Sequence, residues 1–281
     1  MSRSLLLTAL AAADAAAAVQ QRWIGRVGAA QINEKAARDF VSQADIEAQQ
    51  AAVALIRARH PDHAVLAEEG DAARGSGPRG EARGGEARGG EAWGGAGDAP
   101  LWVIDPIDGT TNFLHGHPMY AVSIAVVERG EPVVSVVHAP ATGERWWATR
   151  GEGAFKNGRP IRVSSATTLR TALVGTGYPF KAIHLLDRYL GQLGRVIQGS
   201  AGVRRGGAAA LDLAYVASGI FDAFWELDLF PWDYMAGVLL IREAGGVISR
   251  VDGSPVGLEP GSILAGANAA LASELGTLVN G

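Results

Sequence analysis

Twelve consecutive residues constrain this chain more than any other stretch: Trp102-Val103-Ile104-Asp105-Pro106-Ile107-Asp108-Gly109-Thr110-Thr111-Asn112-Phe113. The stretch opens apolar and turns hydrophilic within a few residues. Pro106 disfavours helical geometry at Asp105, so Asp105 is expected at a strand end, facing a loop. Asp108 follows three residues on, close enough for its carboxylate to converge on the same point. Gly109 admits backbone angles closed to other residues, and Thr110, Thr111 and Asn112 are helix-starting residues. The order is therefore strand, acidic turn, helix N-terminus. Such a turn sets two anionic oxygen donors beside free backbone N–H groups. Carboxylates suit Mg²⁺ and helix N-termini suit phosphate, so the pair implies a site for a metal-bound phosphate ester. Asp-Pro or Asp-Gly alone is an ordinary turn dipeptide; the weight lies in the ordered run.

Composition narrows the alternatives. The 281 residues suit one large domain or two fused halves, and an apolar fraction of 48% is enough for a substantial core. A formal charge of −4, from 25 Lys plus Arg against 29 Asp plus Glu, gives no general electrostatic grip on nucleic acid. Without cysteine there is no disulfide, no thiol nucleophile and no thiolate zinc site, which fits a cytoplasmic protein. Arg3, the leucines Leu5 to Leu7 and the following alanines imitate a secretory signal. Asp14 interrupts them, and Gln20 to Trp23 continue one amphipathic pattern, so residues 4–26 read as a first helix. No window reaches the ~18 uncharged apolar residues of a membrane span.

Beyond that helix, 35–42 reads as a polar extended segment and 46–59 as a second helix. Ser42 and Asp45 form a capping-box-like pair, which makes Asp45 a helix-start acid. Ala64 to Ala67 reads as a short strand closed by Glu68 and Glu69. From 80 to 95 the pentapeptide Gly-Glu-Ala-Arg-Gly repeats; with little to bury, residues 71–99 are expected to form a mobile surface insertion within a single 1–281 domain. Tyr120 to Val127 and Pro132 to His138 read as a hairpin, Arg145 to Ala148 continues the sheet, and Gly151 to Gly158 reads as loop and turn. In the second half, strands are expected at 173–177, 221–226, 247–249 and 262–265, with helices at 185–198, 209–218, 232–244 and 268–278. Helices and strands in blocks favour stacked α and β layers over a doubly wound sheet.

The run from Trp102 to Phe113 resembles the signature of the inositol monophosphatase family, the Mg²⁺-dependent, lithium-sensitive phosphatases. Phe230-Pro231-Trp232-Asp233-Tyr234-Met235-Ala236-Gly237, continuing into Arg242-Glu243-Ala244-Gly245-Gly246, resembles its second signature, and Glu68-Glu69 resembles its strand-end acidic pair. The likeness extends from about Asp39 to Val279. It implies an α+β fold layered as an αβαβα sandwich, a homodimer, and two to three Mg²⁺ per site. By resemblance, Glu68, Asp105 and the Ile107 carbonyl match the first metal's ligands, and Asp105, Asp108 and Asp233 the second's. Glu69 stands behind Glu68, a third ion lies near Glu68, and Asp45 is a carboxylate near an outer, weaker metal. Thr110, with Glu68, matches the group orienting the attacking water, which gives Glu68, Asp105 and Thr110 catalytic roles. Gly109, Thr110 and Thr111 match the phosphate cradle. Asp108, Gly207, Ala208, Ala209, Glu226 and Asp233 match the substrate side.

Some members carry threonine where this chain has Ala208, which weakens any claim for inositol in particular. The implied reaction is hydrolysis of a small polyol or sugar phosphate, foremost myo-inositol 1-phosphate, with fructose 1,6-bisphosphate or histidinol phosphate as alternatives. A reading of another class is a regulatory partner of the transcription machinery, as some bacterial relatives are; the full set of metal-type carboxylates argues against a purely regulatory role.

Overall fold

The computed structural model describes residues 2–28, 31–36, 39–69 and 99–281. The repeat expected to form a surface insertion lies almost wholly outside them. The chain runs α1 (Ser2–Trp23), β1 (Ile32–Ala36), β2 (Asp39–Ser42), α2 (Gln43–Arg59), β3 (Ala64–Ala67), β4 (Leu101–Asp108) and α3 (Thr110–Leu114). The meander β5 (Ala121–Glu128), β6 (Glu131–Ala139), β7 (Glu144–Thr149), β8 (Gly153–Lys156) and β9 (Arg159–Pro160) completes the first half. The second half runs β10 (Leu173–Thr176), α4 (Leu186–Gly199), β11 (Gly202–Arg204), α5 (Ala209–Ala217), β12 (Ala223–Leu229), α6 (Pro231–Glu243), β13 (Val247–Ser249), β14 (Gly261–Gly266) and α7 (Ala269–Asn280).

Among the described residues, β3 to β9 form one sheet in sequence order, and β11-β10-β12-β14-β13 form a second. α1 and α2 cover the outer face of the first sheet with an apolar cluster of their own. α5 and α6 fill the space between the two sheets, and α4 and α7 cover the outer face of the second. This is the αβαβα sandwich of the α+β class. α6 is apolar on nearly every side, as a helix between two sheets must be. Gly237 lets it approach α5: a Cβ there would lie 2.6 Å from Leu213.

α1 has the length and apolarity of a membrane span. Its Leu5, Ala9, Ala12, Ala13 and Ala16 face is buried in the cluster with the sheet and α2, however, which makes it a core helix. The expected element bounds shift by a few residues, and 153–156, read as loop, is a strand paired with β7. The larger correction concerns Asp105. It does not end its strand, because β4 continues to Asp108. Pro106 has no N–H to give the ladder, so the pairing with β5 slips between Asp105 and Asp108 instead of stopping.

Candidate metal and phosphate site

The slipped end of β4 gathers the acids. Asp105 is 2% exposed, and one of its carboxylate oxygens accepts the N–H of Ile107 at 2.9 Å. The turn that follows depends on Gly109, whose φ of +88° carries the chain into α3. A Cβ there would lie 2.8 Å from the Met119 carbonyl oxygen, so the position excludes other residues on both backbone and packing grounds. Gly109, not a threonine or Asn112, is the residue preceding the helix. Asn112 instead donates to the carbonyls of Met119 and Gly206, at 2.6 and 3.0 Å, and so stitches α3 to the loop before α5.

Asp108 faces the start of α5 and accepts the N–H groups of Ala209, Ala210 and Leu211 at 3.1, 2.8 and 3.4 Å. This places a carboxylate where a helix N-terminus favours one. Asp108 thereby touches the 207–209 loop that the resemblance sets on the substrate side. The Ala209 N–H is engaged by Asp108, and Ala208 is buried behind Gly109, whose added Cβ would lie 3.1 Å from that of Ala208. Gly207 and Ala209 do line the pocket. Asp233, in the first turn of α6, accepts the Phe230 N–H at 2.7 Å.

Asp105, Asp108 and Asp233 each present a carboxylate oxygen, all within 4.8 Å of one another. Burial pushes the Asp105 carboxyl well above its usual range, and the charges of Glu68, Asp108 and Asp233 push it further. Burial and then Asp233 raise Asp108 to about 8, against the lowering effect of the Ala210 and Leu211 amides. Like charges so close cannot all ionise without a counter-charge. A divalent cation is the ligand that this oxygen set fits.

Glu68 continues from β3 and stays in the ladder, its N–H bonded to Ile104 O at 3.1 Å. It lies outside the tight trio, its charge is the next cause after burial of the raised Asp105 pKa, and Lys181 Nζ stands 3.8 Å from one of its oxygens. Glu69 is tied through its backbone to the Gln49 side chain.

Asp45 is more central than its sequence suggested. Fully buried, it accepts the Ser42 N–H and hydroxyl at 2.8 and 2.6 Å, which is the expected cap. Its other oxygen accepts the Thr110 hydroxyl at 3.1 Å. That hydroxyl is also 3.1 Å from the Ile107 carbonyl. Glu68, which the resemblance joins to Thr110 in orienting the attacking water, lines the same pocket.

These groups open on one cavity of about 160 Å³, lined by Glu68, Asp105, Ile107, Asp108, Gly109, Thr110, Thr111, Glu226 and Asp233. Glu226 packs so close to Gly177 that a Cβ there would overlap its carboxylate. Burial raises its pKa well above the usual, with Asp212 the next cause. Residues 178–182 and Arg205 form the rim, where the Arg205 guanidinium lies over the rings of Tyr178 and Phe180, at 5.2 and 5.1 Å. Sequence reasoning named neither the rim nor the buried Asp212. Nothing local marks exposed aromatics as pocket walls, and Asp212 is a single acid within an apolar helix.

Comparison with known proteins supplies an independent finding. The model of the inositol monophosphatase family matches residues 2–280. A Pseudomonas aeruginosa protein named Nus factor SuhB is 45% identical over 264 residues, 93% of this chain and 91% of that protein. A Rhizobium meliloti protein named inositol-1-monophosphatase is 42% identical, covering 95% of this chain and 93% of its own. Among solved structures, the inositol monophosphatase from Anabaena superposes with a TM-score of 0.81 at 34% identity, over 99% of this chain and 96% of that one.

Proposed function

The chain belongs to the inositol monophosphatase family, and we propose that it is a Mg²⁺-dependent phosphomonoesterase acting on a small polyol or sugar phosphate, myo-inositol 1-phosphate foremost. The observation that carries this reading is the trio of carboxylates, Asp105 and Asp108 buried and Asp233 half-buried, beside the Gly109–Thr111 turn. Glu68, Asp105, the Ile107 carbonyl, Asp108 and Asp233 would hold the ions, two or three in number. When bound, Mg²⁺ supplies Lewis-acid polarisation of the phosphoryl group, a lowered pKa for the attacking water and charge neutralisation at the leaving oxygen.

The protein's own groups do the remaining work. Thr110 donates its hydroxyl proton to Asp45, which leaves the oxygen lone pairs to accept from the attacking water and fix its direction. Asp45 in turn is fixed by two bonds from Ser42, so the water-orienting pair is rigid before substrate arrives. The N–H groups of Gly109, Thr110 and Thr111 would receive the phosphate oxygens, where charge grows in the transition state. Glu226 would accept hydroxyl hydrogen bonds from the departing alcohol, with Gly207 lining the same side. Lithium would inhibit by displacing an ion. The test is phosphate release from inositol 1-phosphate with and without Mg²⁺: strict metal dependence is expected, and turnover untouched by chelation would remove the proposal.

A second role rests on one observation, the 45% identity to a protein named Nus factor SuhB. In that reading the chain is also a regulatory partner of the transcription machinery. Co-elution of the purified protein with an assembled complex is the expected result, and separate elution would exclude it.

A further inference from the structure

Among the buried residues of α1, Gln20 is the one long polar side chain; the others are a leucine, a valine, alanines and Thr8. Gln20 is fully buried. Its Nε2 donates to the Pro106 carbonyl at 2.7 Å, across 86 positions of sequence. A carbonyl oxygen can only accept, so this contact decides which end of the amide meets the turn. The other end, Oε1, is buried with no hydrogen-bond partner among the described residues. A buried oxygen without a donor is costly, and an alanine here would avoid that cost. What Gln20 contributes therefore lies in its donor end.

The Pro106 carbonyl needs a donor because the ladders have let it go. Pairing with β5 jumps from Asp105–Ser123 to Asp108–Ala121, and pairing with β3 stops at Ile104. The peptide unit joining Pro106 to Ile107 is instead held at its two ends. The Ile107 N–H donates to Asp105 at 2.9 Å, and the Pro106 oxygen accepts from Gln20. The same end of α1 also grips this turn by packing. The Ile107 side chain is buried with Phe113 and Tyr120, and Trp23 and Ile24 pack on that cluster. The Ile107 carbonyl, next along the chain, lies 3.1 Å from the Thr110 hydroxyl.

From this clamp we propose that Gln20 is a positioning residue for the metal site. By fixing the plane of the Pro106–Ile107 peptide, it sets the direction of the Asp105 carboxylate and of the Ile107 carbonyl before an ion arrives. α1, otherwise a core helix, thereby tunes Mg²⁺ affinity without touching the ion. The inference rests on the phosphatase reading above.

The test titrates Mg²⁺ calorimetrically into the full-length protein and two variants. Gln20→Met keeps the length of the side chain and removes the donor; Gln20→Asn keeps the amide and withdraws it by a methylene. Both should bind Mg²⁺ about tenfold more weakly, as when a group that orients a metal ligand is lost. Hydrogen exchange at the Ile107 amide of the metal-free protein should be faster in both, while kcat at saturating Mg²⁺ stays close to the wild-type value. Ala13→Gly, at another buried position of α1, controls for lost stability. A glycine within the helix lowers Tm but should leave Mg²⁺ affinity and Ile107 exchange unchanged. Unchanged Mg²⁺ affinity in a folded Gln20 variant, or an equal loss in A13G, would overturn the proposal. So would an unprotected Ile107 amide in the metal-free wild type, whatever the variants do. A wild-type protein that takes up no Mg²⁺ would remove the phosphatase reading, and this one with it.

Discussion

Thr110 is the residue at which hydrogen bonding and chemistry meet, because its hydroxyl already has an acceptor in Asp45. Thr110→Ala should lower kcat for phosphate release by about a hundredfold or more, the usual scale for a proton-handling group, with little change in KM. Thr110→Ser should restore most of it, and initial rates at saturating Mg²⁺ decide. Gly109→Ala should cost about 1–3 kcal/mol in stability, from strain at positive φ together with the Met119 carbonyl contact; a urea melt reads it directly. Asp105 and Asp108 were legible because one ordered run sets both carboxylates at the same turn, and Asp233 was reached only through the likeness of its run to the family's second signature. The Asp45–Thr110 bond was not legible, since it joins residues 65 positions apart and Asp45 already had a sufficient local role as a cap. The bonds from the first amides of α5 to Asp108 were not legible either. Which carboxylate takes the first amides of α5 depends on where the second half docks.

The elements were read well where periodicity and punctuation agreed, as for α2, the β5–β6 hairpin and α6. They were read less well where a proline suggested an ending that the sheet overrode at β4. The junction between α2 and β3 adds a feature of its own. His60 stacks on His63 at 4.6 Å between ring centroids, its Nε2 is 3.1 Å from the Thr8 hydroxyl, and His63 accepts the Trp102 indole N–H at 3.0 Å. Burial lowers the His60 pKa, and the charges of His63 and Arg59 lower it further. The fold therefore favours neutral His60. Its contribution is fully present above the ordinary histidine value of 6.5 and is lost as pH falls from there through the folded pKa. Urea midpoints measured from pH 8 to pH 5 should fall on the acid side, and His60→Gln should flatten that fall; an identical slope in the variant would contradict the assignment.

Across the whole molecule, the two sheets meet through α5 and α6, and the site is the place where both halves deliver acid. β4 brings Asp105 and Asp108, and α6 brings Asp233. Packing alone gives no reason for three carboxylates to stand within 4.8 Å with their pKa values driven upward, whereas a divalent ion does. Asp105→Asn keeps the acceptor for the Ile107 amide while removing one charge, so without metal the variant should melt at or above the wild-type temperature. The most direct test is calorimetric titration of Mg²⁺ into the metal-free protein and into this variant. Saturable binding in the wild type and its loss in a folded Asp105→Asn protein is the predicted result; equal heats from both would contradict the account.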